Sequence, residues 1–232
     1  MFDVFGTVVD WRGSIIREIR SLAREKKLDL DPAAFADAWR DGYQPAMARV
    51  RSGDLGWTKI DALHRMILED LLERFEVRGL KAPEIEHLNR VWHRLSPWPD
   101  ARAGLKALKK HRIIGTLSNG NVLLLANLAK FGGLPWDVIF SGENFHHYKP
   151  DPETYLGACE LLSMKPAEVM MVAAHKNDLH AAKACGMPTA FVRRPLEHGP
   201  DGNKDPHPDM RSERAFDINA DDFLDLARRL GP

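Results

Sequence analysis

Side chains able to do chemistry fall in four short clusters: Asp3-Val4-Phe5-Gly6-Thr7, Ser118-Asn119-Gly120-Asn121, His147-Tyr148-Lys149-Pro150 and Ala173-Ala174-His175-Lys176-Asn177-Asp178. Two carboxylates, Asp3 and Asp178, and one lysine, Lys149, form a set in which a nearby ammonium keeps a carboxyl ionised. Ser118 and Asn119 precede a helix expected to begin near Asn121. Their polar groups and the free amides of that helix's first turn would cradle an anion. In open parallel sheets ligands sit beyond the carboxyl ends of the strands, and each cluster follows a short apolar run.

Strands are needed to place those clusters. Residues 2–5, 113–117, 137–140, 169–173 and 189–192 are apolar runs of strand length. Strands that alternate with helices pair in parallel, and right-handed crossovers put the helices on both faces. The expectation is an α/β protein with a doubly wound parallel sheet. From Gly13 to about Trp92 the texture is instead helical, with no convincing strand. Ile15, Ile16, Ile19 and Leu22 mark one helix, and Asp31-Pro32 opens a second carrying Phe35, Trp39 and Tyr43. Thr58 with Asp61 resembles a capping box opening a third, and a fourth starts near Pro83. Asp100 is expected to cap a helix through Leu105 and Leu108. Residues 194–214, rich in Pro, Gly, Asp and His, read as an exposed loop before a last helix over 220–230. The first apolar run is short for a central parallel strand, so further residues upstream of Met1 are expected.

With the four clusters in this order and a helical insertion between the first and second, the sequence resembles the haloacid dehalogenase superfamily over nearly its whole length. The resemblance implies a Rossmann-like core of residues 1–11 and 98–232, with an all-helical cap of residues 12–97 inserted after the first strand. It also implies Asp3 as nucleophile, Ser118 as the second-motif hydroxyl, Lys149 as the third-motif cation and Asp178 as the fourth-motif carboxylate. Two departures decide the branch. Magnesium-dependent phosphatases of the superfamily begin Asp-x-Asp, and Phe5 stands where the second Asp would act as general acid. Ala173-Ala174 replaces the Gly-Asp of their fourth motif, removing an oxygen ligand from the metal site.

The branch that the chain resembles is the type II (L-2-haloacid) dehalogenases, which carry an aromatic residue at the Phe5 position and work without metal. A halide leaving group needs no proton. On that reading Asp3 displaces halide from a short 2-haloalkanoic acid, and water hydrolyses the resulting aspartyl ester to a 2-hydroxyacid. Arg40 matches the arginine that receives the halide, and Asp178, aided by Lys149, would orient the water. Thr7, Ser118, Asn119, Tyr155 and His175 are expected around the substrate, with no metal and no cofactor. His175 stands where an asparagine is expected, and a neutral imidazole there could take a proton from water. Leu55 and Trp57 are read as cap packing, and His146 and His147 as no metal pair, because adjacent extended residues face opposite sides. A magnesium-dependent phosphatase, a non-catalytic small-acid-binding protein and a protein-binding module on the same fold stay open.

Composition narrows the remaining classes. In 232 residues, 33 Lys+Arg balance 33 Asp+Glu for zero net charge, which removes the basic field that non-specific nucleic-acid binding needs. Cys159 and Cys185 are too few for a disulfide framework and read as packing residues in a reducing compartment. No apolar run approaches a membrane span, and the first residues lack a basic segment followed by an apolar one. The expectations are no membrane, no signal peptide, a cytoplasmic location and a small-molecule partner. Family members are commonly dimers, so the resemblance allows a homodimer.

Overall fold

The computed structural model describes residues 1–199, 209 and 211–231. Strand β1 (Val9–Asp10) leads into five helices, α1 (Trp11–Lys26), α2 (Pro32–Asp41), α3 (Tyr43–Arg51), α4 (Ile60–Arg74) and α5 (Ala82–Asn89). Strand β2 (Ser96–Pro97) returns antiparallel beside β1, so the helical segment leaves and re-enters the rest of the chain through one narrow ribbon. Then follow α6 (Ala101–Lys109), β3 (Gly115–Ser118), α7 (Val122–Gly132), β4 (Val138–Ser141), α8 (Gly142–Phe145) and α9 (Pro152–Leu161). The chain continues through β5 (Met171–Ala173), α10 (Lys176–Ala184), β6 (Thr189–Val192), β7 (Ile218–Ala220) and α11 (Phe223–Leu230).

Strands β3 and β4 pair in parallel, as do β5, β6 and β7. Phe2 bridges in parallel to both Thr116 and Val172 and closes the gap between the two groups. The amide of Phe2 donates to the Gly115 carbonyl at 2.9 Å and that of Asp3 to the Val172 carbonyl at 3.0 Å. Pairing stops there, short of the expected end at residue 5, because the chain curls. The Val4 carbonyl accepts the amides of Val8 and Val9 instead.

Side-chain alternation shows that both faces are covered. Val172, Ala190 and Val192 enter one apolar cluster with Leu105, Leu125 and Phe223, while Met171, Ala173 and Phe191 enter another with Tyr155, Leu179 and Phe216. A strand buried on both faces needs apolar residues without polar alternation, which these runs have. Cys159 and Cys185 are free thiols.

Several local expectations change. Tyr43 begins its own helix rather than continuing α2, because Pro45 has no amide hydrogen to bond back to Asp41. Thr58 makes no capping box. Its hydroxyl donates to the Gly56 carbonyl at 2.9 Å, and the Asp61 carboxylate instead accepts from Asn121 at 2.9 Å and lies 3.0 Å from His93 Nε2. The last helix starts at Phe223, since residues 218–220 form edge strand β7. The expected exposed loop over 194–214 is partly buried: Arg194 and Glu197 are 7% and 4% exposed, whereas 200–208 and 210 lie outside the described residues.

Arg194 anchors this loop. Its guanidinium forms a two-pronged pair with Asp100 at 2.8 and 3.0 Å, donates through Nε to the Thr7 carbonyl at 2.7 Å and stacks on Phe223. Asp100 holds the N-cap position of α6 as expected, but its carboxylate bonds to Arg194 and the Phe223 amide rather than to the helix's own amides. Removing one partner of a buried pair strands the other's charge. Arg194→Ala is expected to cost about 3–5 kcal/mol in a denaturant titration; an unchanged midpoint would show that the pair holds nothing.

Candidate active site

Asp3 lies at the end of the central strand segment and is 7% exposed. Its Oδ1 accepts from Lys149 Nζ at 3.0 Å and its Oδ2 from the Thr7 hydroxyl at 2.6 Å. The same Thr7 oxygen accepts the Ala174 amide at 2.9 Å, so it fixes the first cluster against the fourth. Gly6 permits the turn between Asp3 and Thr7 through a φ of +82°, which a side chain would strain.

Lys149 arrives from the loop after α8, with Pro150 following through a cis peptide bond. Its Nζ donates to Asp3 and, at 2.5 Å, to Asp178 Oδ2, while its amide donates to Asn119 Oδ1 at 2.7 Å. Asp178 sits in the first turn of α10, and its Oδ1 accepts the Tyr155 hydroxyl at 2.6 Å. Lys149 is thus held between two buried carboxylates. Burial would neutralise the lysine, but Asp178 and Asp3 outweigh it and hold the ammonium above its usual range. Burial would also raise Asp3, yet Lys149 and His175 overcome it and keep that carboxyl well below the carboxylate range. Asp178 goes the other way: burial and the nearby Asp3 charge raise it despite the lysine.

His175 directly precedes α10, with Nδ1 3.3 Å from Asp3 Oδ2 and Nε2 2.9 Å from Glu197 Oε1. Burial lowers this imidazole's proton affinity, but Glu197 and Asp3 together lift it well above the usual value. Glu197 is pushed down to about 2, because His175 and Arg40 outweigh its burial. Arg40, from α2, stacks its guanidinium 4.6 Å from the Tyr43 ring and 5.4 Å from Trp11, and its buried Nη1 has no hydrogen-bond partner among the described residues. Asp3, Asp178 and Glu197 therefore lie in one site with Lys149, His175 and Arg40.

A cavity of about 270 Å³ joins these groups. Asp3, Arg40, Asn119, Lys149, Tyr155, His175 and Asp178 line it, as the sequence expectation has them grouped. Thr7 and Ser118 stand outside the lining. Thr7 braces Asp3 from behind, and the fully buried Ser118 hydroxyl accepts the Gly120 amide at 3.2 Å. Leu55 and Trp57 do not line it either; Trp57 stacks on His146 and Tyr148. Sequence reasoning missed Tyr43 and Glu197 as site residues. Tyr43 was legible only as an apolar helical position, and Glu197 sits in a stretch whose polar composition mimics a solvated loop.

Magnesium would need oxygens that are free to turn toward it. Those of Asp3 and Asp178 are already bonded to Lys149, Thr7 and Tyr155, and residue 174 offers only a methyl group. The donor set does not suit that ion.

Residues 1–186 match the family model of the haloacid dehalogenase-like hydrolases. (S)-2-haloacid dehalogenase 1 of Pseudomonas sp. (strain CBS-3) is 28% identical, over 84% of this chain and 83% of its own. A phosphoglycolate phosphatase of Neisseria meningitidis is 30% identical over 68% of this chain and 70% of its own. Among solved structures, an L-2-haloacid dehalogenase superposes with a TM-score of 0.92 at 47% identity, covering 99% of this chain and 97% of that one. A defluorinating L-2-haloacid dehalogenase superposes with a TM-score of 0.94 at 44% identity, covering 99% and 93%.

Proposed function

We infer that this chain, which belongs to the haloacid dehalogenase-like hydrolases, removes halide hydrolytically from short 2-haloalkanoic acids and leaves 2-hydroxyacids. The observation that carries this reading is Asp3, a buried carboxylate kept ionised by Lys149, sharing a cavity with Arg40, whose buried Nη1 lacks a partner among the described residues. An attacking anion and a cationic donor across one small space suit displacement of an anionic leaving group. The helices 12–97 act as the cap in this reading and bring Arg40 to the core.

Asp3 Oδ attacks the carbon bearing halogen in line, the carbon–halogen bond breaks with its electron pair on the halide, and Arg40 receives that ion. Lys149 offsets the repulsion between Asp3 and the substrate carboxylate, and Asn119, which lines the same cavity, takes part in holding that carboxylate in this reading. Water then adds to Asp3 Cγ, and the 2-hydroxyacid leaves with the oxygen that Asp3 had supplied. A phosphatase reading fares worse, since Phe5 cannot protonate a leaving alkoxide and the acidic oxygens are already engaged.

The direct measurement is halide release from chloroacetate, fluoroacetate and L-2-chloropropionate in EDTA. Release from at least one, at the same rate with or without the chelator, is expected. Phosphate release from small esters that stops in EDTA, with no halide from any haloacid, would replace this reading by the phosphatase one.

A further inference from the structure

Beyond its reacting groups, the wall of the active-site cavity is polar. With Asp3 in line behind the halogen, Arg40 at the halide and Asn119 at the carboxylate, the remaining substituent on the substrate's second carbon is left to the rest of the lining. At the exposed rim of that lining are Gln44 from α3, Asn177 from α10 and Pro150. Among the described residues no Ala, Val, Leu, Ile or Met lines the cavity. Its apolar surface comes from Phe5, Tyr43, Tyr155 and Pro150, and the aromatic rings are already engaged. Phe5 packs edge-on against Tyr43 and Trp92, Tyr43 carries the Arg40 guanidinium on its face, and the Tyr155 hydroxyl donates to Asp178.

An alkyl chain entering here finds no aliphatic wall, and burial of methylene groups against such a wall is what a longer 2-haloalkanoate would gain by binding. There is room for a longer acid nonetheless. About 270 Å³ equals roughly nine water-sized groups at about 30 Å³ each, whereas a haloacetate brings only two carbons, two oxygens and a halogen. Gln44 and Asn177 each offer an oxygen that accepts and a nitrogen that donates twice. Neither side chain has a hydrogen-bond partner among the described residues. The charged groups are less available: Lys149 is held by Asp3 and Asp178, and His175 lies between Asp3 and Glu197. A charged end group would compete for ions that are already paired, whereas a neutral group that donates and accepts matches both amides.

We propose that the substrates are 2-haloacids whose third carbon carries a neutral hydrogen-bonding group such as a carboxamide, and that Gln44 and Asn177 determine this specificity, an assignment that rests on the haloacid reading above. The chemistry at the second carbon is the same: Asp3 displaces halide, water opens the ester, and the end group passes through intact. Both amides stay in contact with water, so the discrimination is expected to be about tenfold rather than the 10⁴-fold of a buried polar pocket.

The test compares a pair matched in shape, 3-carbamoyl-2-chloropropionate and 2-chloro-4-methylpentanoate, in which a carboxamide stands in for an isopropyl group. The wild type should release chloride from the amide with a kcat/KM about tenfold higher. With Gln44→Leu and Asn177→Leu combined, the order should reverse, because the two positions then supply the aliphatic wall. Each single substitution should move the ratio part of the way. The ratio is read within one preparation, so it does not depend on how much of a variant folds, and the wild-type comparison stands without the variants. Equal or faster turnover of the methylpentanoate by the wild type would overturn the proposal. So would turnover of neither acid while chloroacetate is dehalogenated, a ratio that the substitutions leave unchanged, or a preference for 2-chlorosuccinate over the amide. No halide from chloroacetate or any other haloacid would overturn the haloacid reading itself and this assignment with it, a distinct result.

Discussion

Asp3→Asn is expected to reduce halide release about 10⁴-fold or more, the scale seen when an enzyme loses its nucleophile. The substitution keeps shape and volume and removes only the charge. An amide oxygen can still accept from Lys149, whose ammonium stays partnered by Asp178 at 2.5 Å. The fold and the cavity should therefore survive, and the variant should still bind a haloacid without turning it over. The comparison that decides is halide release against protection from thermal unfolding by chloroacetate. Loss of both would make Asp3 a structural anchor, and retention of release would place the attacking group elsewhere.

Lys149→Met should act on rate and on stability together. Two unit charges 4 Å apart repel by about 4 kcal/mol at an effective dielectric of 20, and losing the cation that offsets this slows alkylation about 10³-fold. The variant also leaves Asp3 and Asp178 buried without their shared counter-ion, worth about 3–5 kcal/mol of stability near neutral pH. Asp178, already raised by burial and by Asp3, is the group that takes up a proton in response. A carboxyl whose folded value lies above its unfolded one stabilises the fold at low pH and loses that contribution as pH rises through the folded value. Lys149→Met should accordingly be most stable in acid and weaken as pH climbs. In the wild type the depressed Asp3 pulls the opposite way, giving up its contribution as pH falls toward its folded value. Melting curves across pH separate these slopes, and parallel profiles for the two proteins would count against a charge role for Lys149.

Much of the site was readable because strand-end positions are written locally. Asp3, Lys149 and Asp178 each follow an apolar run, and the sheet brings those ends together whatever the loops between them do. Thr7 and Ser118 were also found, although their hydroxyls brace the site from outside the cavity lining. The expected capping box of Thr58 and Asp61 did not form, and Asp100 stands at the N-cap of α6 without a side-chain cap bond, because the acids met long-range partners, His93 and Asn121 for Asp61 and Arg194 for Asp100. Edge strand β7 escaped notice because three residues beside a polar stretch carry too little periodicity.

Apolar runs, turn residues and helical spacing are short-range signals, so the doubly wound sheet, the helical insertion and the four strand-end clusters follow from the sequence by itself. Glu197 does not. It meets Trp11 across 186 residues and His175 across 22, and nothing in a loop rich in Pro, Gly and His says that one carboxylate will be buried. Only the tertiary structure decided that, because Arg194 had to find Asp100 and Thr7, and Gly6 had to leave a space, before the acid could reach the imidazole.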